Sequence, residues 1–183
     1  MGNRRFSRKR LYEVEKLGQA VDVGTGAGMK SALVSATQHR QGQEIITEIL
    51  LDLGTSKAVI VGGGADTDAI GVAALPANIC QLTQAVFGVV TELRVVLLEA
   101  STGADTELDI ESAAGVVNTA GSPGTSLITG LDTVGQDVSV LKDDNTLADL
   151  YLYVCNGSGT SGAQHTAGKL AIYVHGFATP SDL

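Results

Sequence analysis

The sequence predicts an all-β fold: an antiparallel β-sandwich, jelly-roll-like, with a short basic N-terminal arm and at most one or two short helices. Three observations predict it. Many short apolar-polar alternating stretches follow one another from residue 44 onward, nearly all separated by turn clusters such as Ser101-Thr102-Gly103, Gly121-Ser122-Pro123-Gly124 and Asp143-Asp144-Asn145. Almost no helical periodicity is found beyond residue 90. The composition suits turns, with 23 glycines, 44% hydrophobic residues and 17% charged ones, because glycine supplies the positive-φ positions that tight turns need.

In chain order, Ser7 can cap a short helix over 8–17 that puts Leu11, Val14 and Leu17 on one side at spacings of three. Glycines at 24–28 then interrupt the chain, and 29–40 reads as a second short helix or an irregular segment. Strands are expected over 44–51 and 57–61. Pro76 followed by Ile79, Leu82 and Ala85 at helical spacing predicts a short helix over 77–85. Further strands are expected over 89–100, 107–112, 115–118, 126–129, 137–141, 149–155 and 169–175. No internal repeat is found. At 183 residues the chain has the size of one domain, and it divides into an arm (1–17), a glycine-containing connector (18–43) and a β-sandwich domain (44–183).

The last two strands carry the clearest alternation. Leu150, Leu152 and Val154 share one face, and Tyr151, Tyr153 and Cys155 the other; Leu170, Ile172 and Val174 likewise alternate with Ala171, Tyr173 and His175. Each strand thus has an aliphatic face for the core and a second face that needs cover. Tyrosine suits an interface, since its ring buries area while its hydroxyl still finds a partner. Tyr151, Tyr153 and Tyr173 are therefore expected on one sheet surface, buried between subunits of a homo-oligomer, a trimer, or beneath a neighbouring element.

Charge is divided along the chain. Residues 1–17 carry Arg4, Arg5, Arg8, Lys9, Arg10 and Lys16 against Glu13 and Glu15, a net +4; the remainder of the -8 total is a body at -12. A basic arm on an acidic body suits anchoring by the terminus to a negatively charged protein shell or nucleic acid, the plain alternative being a solvated terminus. The acidic body would repel a polyanion, so sequence-specific nucleic-acid recognition is not expected. The longest apolar runs, such as 86–90 and 95–98, fall far short of the roughly 20 residues that span a bilayer. No apolar run follows the basic start, so a secretory signal is not expected either.

Catalytic signatures are weak. The nine residues 20–28 (Ala-Val-Asp-Val-Gly-Thr-Gly-Ala-Gly) resemble the first motif of class I methyltransferases, where a strand ends in an acidic residue and glycines admit S-adenosylmethionine. The motif has meaning only inside a βαβ unit, which the strand-rich remainder does not offer, so a small S-adenosylmethionine-dependent methyltransferase is the alternative and a glycine hinge the preferred reading. The glycine runs at 62–64 and 157–162 lack the Lys and Ser or Thr of a phosphate loop. No GxSxG elbow occurs. His39, His165 and His175 are far apart, and Cys80 and Cys155 are expected as buried free thiols. No catalytic residue, metal or cofactor is expected, and the protein is not read as an enzyme.

Three stretches carry a wider resemblance: Arg4-Arg5-Phe6-Ser7-Arg8-Lys9-Arg10-Leu11-Tyr12-Glu13-Val14-Glu15-Lys16, Ser35-Ala36-Thr37-Gln38-His39-Arg40-Gln41-Gly42-Gln43 and Gly168-Lys169-Leu170-Ala171-Ile172-Tyr173-Val174-His175-Gly176. The sequence resembles uncharacterised structural proteins of marine tailed phages over nearly its whole length. That resemblance implies a virion component, a capsid decoration (cement) protein trimeric on the shell, with the major capsid protein as partner. Other virion parts, such as a head fibre, a tail component or the shell protein itself, are the alternative. The family has no motif that assigns functional residues.

Overall fold

Alternation of inward apolar and outward polar side chains builds ten strands among the described residues. The computed structural model describes residues 18–29, 32–54, 67–72, 75–103, 106–118, 121–141, 146–157 and 164–179. The arm with its expected helix, and the expected strand over 57–61, lie outside the described residues. The strands are β1 (Gln19–Ala20), β2 (Leu33–Gln41), β3 (Glu44–Asp52), β4 (Cys80–Gln81), β5 (Val89–Thr102), β6 (Leu108–Ala113), β7 (Thr125–Leu131), β8 (Asp137–Leu141), β9 (Tyr151–Asn156) and β10 (Ala167–Phe177). One four-residue helix, α1 (Gln84–Phe87), follows β4.

Two antiparallel sheets pack face to face, with orders β1-β2-β3-β10-β5-β8 and β4-β9-β6-β7. Counted from β3 as the first of eight, the strands run 1-8-3-6 in one sheet and 2-7-4-5 in the other. This is jelly-roll connectivity, in which successive strands cross between the sheets and eight strands make two Greek keys. β1 and β2 extend the first sheet beyond its β3 edge. Ile49 and Leu51 of β3, Leu93, Val95 and Leu97 of β5, and Leu170, Ile172 and Val174 of β10 face Leu108, Ile110, Ile128, Leu131, Leu152 and Val154 of the other sheet. Each such side chain contributes about 1.5–3 kcal/mol when removed from water.

Within the segment from 29 to 40, residues from 33 onward form a strand, β2, not a helix or an irregular stretch. Val34 and Ala36 pack against the core, and Gln38, on the same side, donates to Thr47 Oγ1 at 3.1 Å and the Val86 carbonyl at 2.7 Å. β2 pairs with β3 over nine residue pairs, from Leu33↔Asp52 to Gln41↔Glu44. Residues 18–43, expected as a connector, thus contribute two strands to the larger sheet.

The helix expected over 77–85 is largely replaced by extended chain. Ile79 and Leu82 donate backbone hydrogen bonds to Leu152 and Leu150 at 2.7 and 2.8 Å, so Ile79, Cys80 and Leu82 are all buried while Ala85 is exposed. Pairing with β9 overrides a three-residue spacing that had no helical face behind it. Helix remains only at α1, which Gly88 ends at φ 68°. The strand expected over 115–118 is reduced to one bridge, Asn118↔Pro76.

The glycine segment at 24–28 is not a hinge. Val21 N–H donates to the Ala36 carbonyl of β2, and the Val23 carbonyl accepts from Gln81 N–H of β4, so this segment links β2 of one sheet to the edge strand of the other. Gly26 and Gly28 donate to the Asn78 and Pro76 carbonyls at 2.8 and 2.7 Å, and Asn78 Nδ2 donates back to the Gly24 carbonyl at 2.8 Å. A methyl group at Gly26 would collide with the Pro76 carbonyl and Asn78 Oδ1, so glycine is required by close backbone approach. The strap satisfies edge groups and closes one side of the sandwich. On the opposite side β7 and β8 are joined by a tight turn in which Gln136 Oε1 accepts from Asp132 and Thr133 N–H and Gln136 Nε2 donates to the Gly130 carbonyl.

A packed strap predicts that Gly26→Ala lowers stability by about 1–3 kcal/mol through overpacking, whereas Gly115→Ala, with nothing within 4 Å of the added carbon, changes it by less than about 0.5 kcal/mol. Denaturant unfolding of the two variants checks this. Equal behaviour of the two would restore the hinge.

Candidate interaction surfaces

β9 and β10 present their second faces as the alternation implies, but to opposite sides of the molecule. Because β9 belongs to the four-stranded sheet and β10 to the six-stranded one, Tyr151 and Tyr153 lie on one outer surface and Tyr173 on the other. The single tyrosine surface expected from the sequence is not formed. Period two assigns a residue to a face, not a strand to a sheet.

On the outer face of the four-stranded sheet the chain covers itself. Tyr153 is fully buried with Ala69, Ala77 and Cys155, and Ala113, Val117 and Tyr151 pack around them. The Tyr153 hydroxyl accepts from Val117 N–H at 2.9 Å and donates to the Gly115 carbonyl at 3.1 Å. Burial raises its pKa, and the hydrogen bond from Val117, which acts to lower it, offsets this only in part. Its cover is therefore a neighbouring element of the same chain. Tyr151 is half-buried at the margin.

The acidic residues of β6 on this face are also held. Asp109 accepts from Gly130 N–H at 2.9 Å, and Glu111 accepts from Ser126 Oγ at 3.1 Å and Gly124 N–H at 3.4 Å. Both cysteines are free and buried. Burial pushes the Cys80 thiol up to about 12, and burial followed by the charges of Glu111, Asp109 and Asp68 pushes Cys155 up as well. Neither is a nucleophile near neutral pH, since the thiolate is the reactive form.

The outer face of the six-stranded sheet is open and mixed. Across it run Thr37, Glu48, Tyr173, Arg94 and Ser139 in register. Tyr173 Oη donates to Glu48 Oε1 at 3.2 Å, and Arg94 lies 5.6 Å from the Tyr173 ring centroid. Arg94 also holds Asp137 with two hydrogen bonds, at 2.8 and 2.6 Å, which lower the Asp137 pKa and raise that of Arg94. Burial first, then Glu48, raises the pKa of Tyr173. Nearer one end Lys169 bonds Glu99 and approaches Asp52 at 3.8 Å; near the other His175 lies 4.0 Å from Glu44. Exposed Leu33, Leu50 and Leu98 stand among these charges. Together with Ser35, Asp52 and Lys169 they border a shallow groove of about 200 Å³.

The remaining sequence candidates are dispersed. His165 is buried with its Nδ1 2.7 Å from Ser101 Oγ, at the opposite end of the sheet from His39 and His175. Among the described residues no group of three or more His, Cys, Asp or Glu is placed to hold a metal ion, and no helix is long and apolar enough to cross a membrane. The glycine motif at 20–28 stands outside any βαβ unit: β1 is two residues long and antiparallel to β2. The basic arm, with Arg4, Arg5, Arg8, Lys9, Arg10 and Lys16, lies outside the described residues. What sequence reasoning missed is the open face itself, whose members come from five strands and share no sequence motif.

Internal cover for Tyr153 predicts that Tyr153→Phe lowers stability by about 1–3 kcal/mol, because the Val117 N–H loses its buried acceptor, without altering the sedimentation coefficient. A shift in oligomeric state in that variant would place the ring at a subunit contact.

Searches against family models, curated proteins and solved structures found no match.

Proposed function

We propose that this protein is a structural component of a tailed-phage virion, a decoration (cement) protein on the outside of the capsid. In this reading the arm residues Arg4, Arg5, Arg8, Lys9, Arg10 and Lys16 bind the major capsid protein, and copies associate on the shell as a trimer. The observation that carries the reading is the strand order of the body. Two sheets ordered 1-8-3-6 and 2-7-4-5 form a jelly roll, an architecture that recurs in viral capsid domains as well as in lectins and cupins. Fold alone does not assign function. The charge division supports the choice, since an arm at +4 on a body at -12 suits attachment through the arm.

The open outer face of the six-stranded sheet, with Tyr173 and the exposed leucines, is the surface available to a neighbouring copy. Tyr151 is a second, smaller contact on the other side.

The test is co-sedimentation with capsid shells that lack the protein. The full chain should pellet with shells at low salt and progressively less as salt rises, because exposed charge pairs are screened within about 8–10 Å near physiological ionic strength. A chain without residues 1–17 should remain folded by circular dichroism and stay in the supernatant. Undiminished binding of the shortened chain would remove the arm from the reading, and failure of the full chain to bind any shell would remove the reading itself.

A further inference from the structure

The edge strands of the two sheets, β1, β8, β4 and β7, are not alike. β1 and β4 are two residues long and adjoin the glycine strap. β7 pairs with β6 through register shifts around Ile110, and irregularities of this kind blunt an edge against further pairing. β8 is different. Its five residues, Asp137-Val138-Ser139-Val140-Leu141, include neither glycine nor proline and pair with β5 without a shift.

The direction of the β8 backbone follows from its neighbour. Leu97 N–H donates to the Gln136 carbonyl at 2.9 Å, and the Leu97 carbonyl accepts from Gly135 N–H at 2.8 Å, so Leu97 turns its backbone groups toward the β8 side. These groups alternate in direction along a strand. Val95 and Leu93 therefore point the same way, and their partners Val138 and Val140 direct their N–H and C=O groups to β5. Asp137, Ser139 and Leu141 direct theirs away from the sheet, and among the described residues no partner meets them. The turn from β7 closes the sandwich at Gln136 and leaves these groups bare. Leu141, at 75%, is the most exposed large apolar side chain among the described residues.

This edge is complementary to itself. Two β8 strands laid antiparallel about a two-fold axis at Ser139 set Ser139 opposite the partner's Ser139 and Asp137 opposite the partner's Leu141. All three outward positions then exchange both of their bonds as hydrogen-bonded pairs. No like charges stand directly opposite, and Asp137 is held by Arg94 of its own copy. An isologous contact of this kind closes at two copies.

We propose that β8 pairs with β8 of a second copy, antiparallel and centred on Ser139, so that two six-stranded sheets become one continuous sheet. The contact uses an edge and not the outer face, and it needs nothing from the decoration reading. Within that reading it joins copies of neighbouring trimers, since a two-fold contact does not build a three-fold ring.

Sedimentation equilibrium of the full chain tests the pairing without any shell. A five-residue edge buries little area, at the low end of interface sizes, so a monomer–dimer equilibrium is expected at about 0.1–1 mM protein. It should not weaken in 1 M salt, where the screening length is about 3 Å, because backbone bonds carry it. Ser139→Pro removes an N–H that β5 does not use, a position where edge strands accept proline. Its circular dichroism should be unchanged and its association at least about tenfold weaker. Leu141→Asp, at an exposed site, puts a carboxylate opposite the partner's Asp137 and should weaken association likewise; it decides the matter if the proline variant does not fold. Ser139→Cys should form an intermolecular disulfide under mild oxidation, since hydrogen-bonded pairs stand about 5.5 Å apart at Cα, within disulfide reach. A strict monomer at about 1 mM would leave the edge to a strand of another protein and overturn the proposal. Growth beyond two copies, loss of the dimer in salt, a dimer indifferent to Leu141→Asp, or a dimer that Ser139→Cys does not cross-link would each assign the contact to another surface or register and overturn it as well.

Discussion

The sandwich depends on β10 being paired along both edges at once. From Lys169 to Phe177 it is in continuous register with β3 on one side, and between Ala167 and Phe177 it pairs with β5 on the other, with register shifts near both ends. Neither neighbour is close to it in sequence. Leu170, Ile172 and Val174 therefore enter the core only after the chain has wound through both sheets, and folding must bear the loop-closure entropy of these long-range contacts before they are rewarded. Gly176 shows how tight the insertion is. An added methyl there would strike the Phe87 carbonyl, so α1 and the start of β5 close directly over the end of β10.

With β10 in place, both sides of the sandwich can be closed and its outer faces specialised. One side is linked by the glycine strap between β2 and β4, the other by the turn joining β7 to β8, which limits the pairing that open edges invite. The outer face of the four-stranded sheet is covered by the chain's own segments around Tyr153. The outer face of the six-stranded sheet keeps its leucines and carboxylates exposed. Function is thus sought on that face and in the arm that leaves its margin.

Strands with strong alternation were legible: β3, β5, β9 and β10 lie close to where they were expected, and in β9 and β10, whose faces were assigned, the aliphatic set points inward. β2 was not legible, because its outward positions include Ser35, Thr37 and His39 and its inward set includes Gln38, which is half-buried and held there by hydrogen bonding and not by apolarity. β4 was hidden by the spacing of Ile79 and Leu82, which imitates a helix although both residues face the same sheet. The glycines at 24–28 were recognised as special but assigned to freedom when they serve close approach, a distinction that depends on Pro76 and Asn78, some 50 residues away. The tyrosines show the same limit. Their faces follow from local periodicity, whereas the sheet to which each strand belongs is set by pairing partners far along the chain.

In the proposed reading, a jelly-roll body with closed sides and a charge divided between a basic arm and an acidic body serve to coat a capsid in many copies. Quantitative mass spectrometry of purified virus particles tests that claim most directly. The account predicts this chain at hundreds of copies per particle. A few copies would indicate a tail or fibre part, and its absence from the particles would contradict the virion assignment.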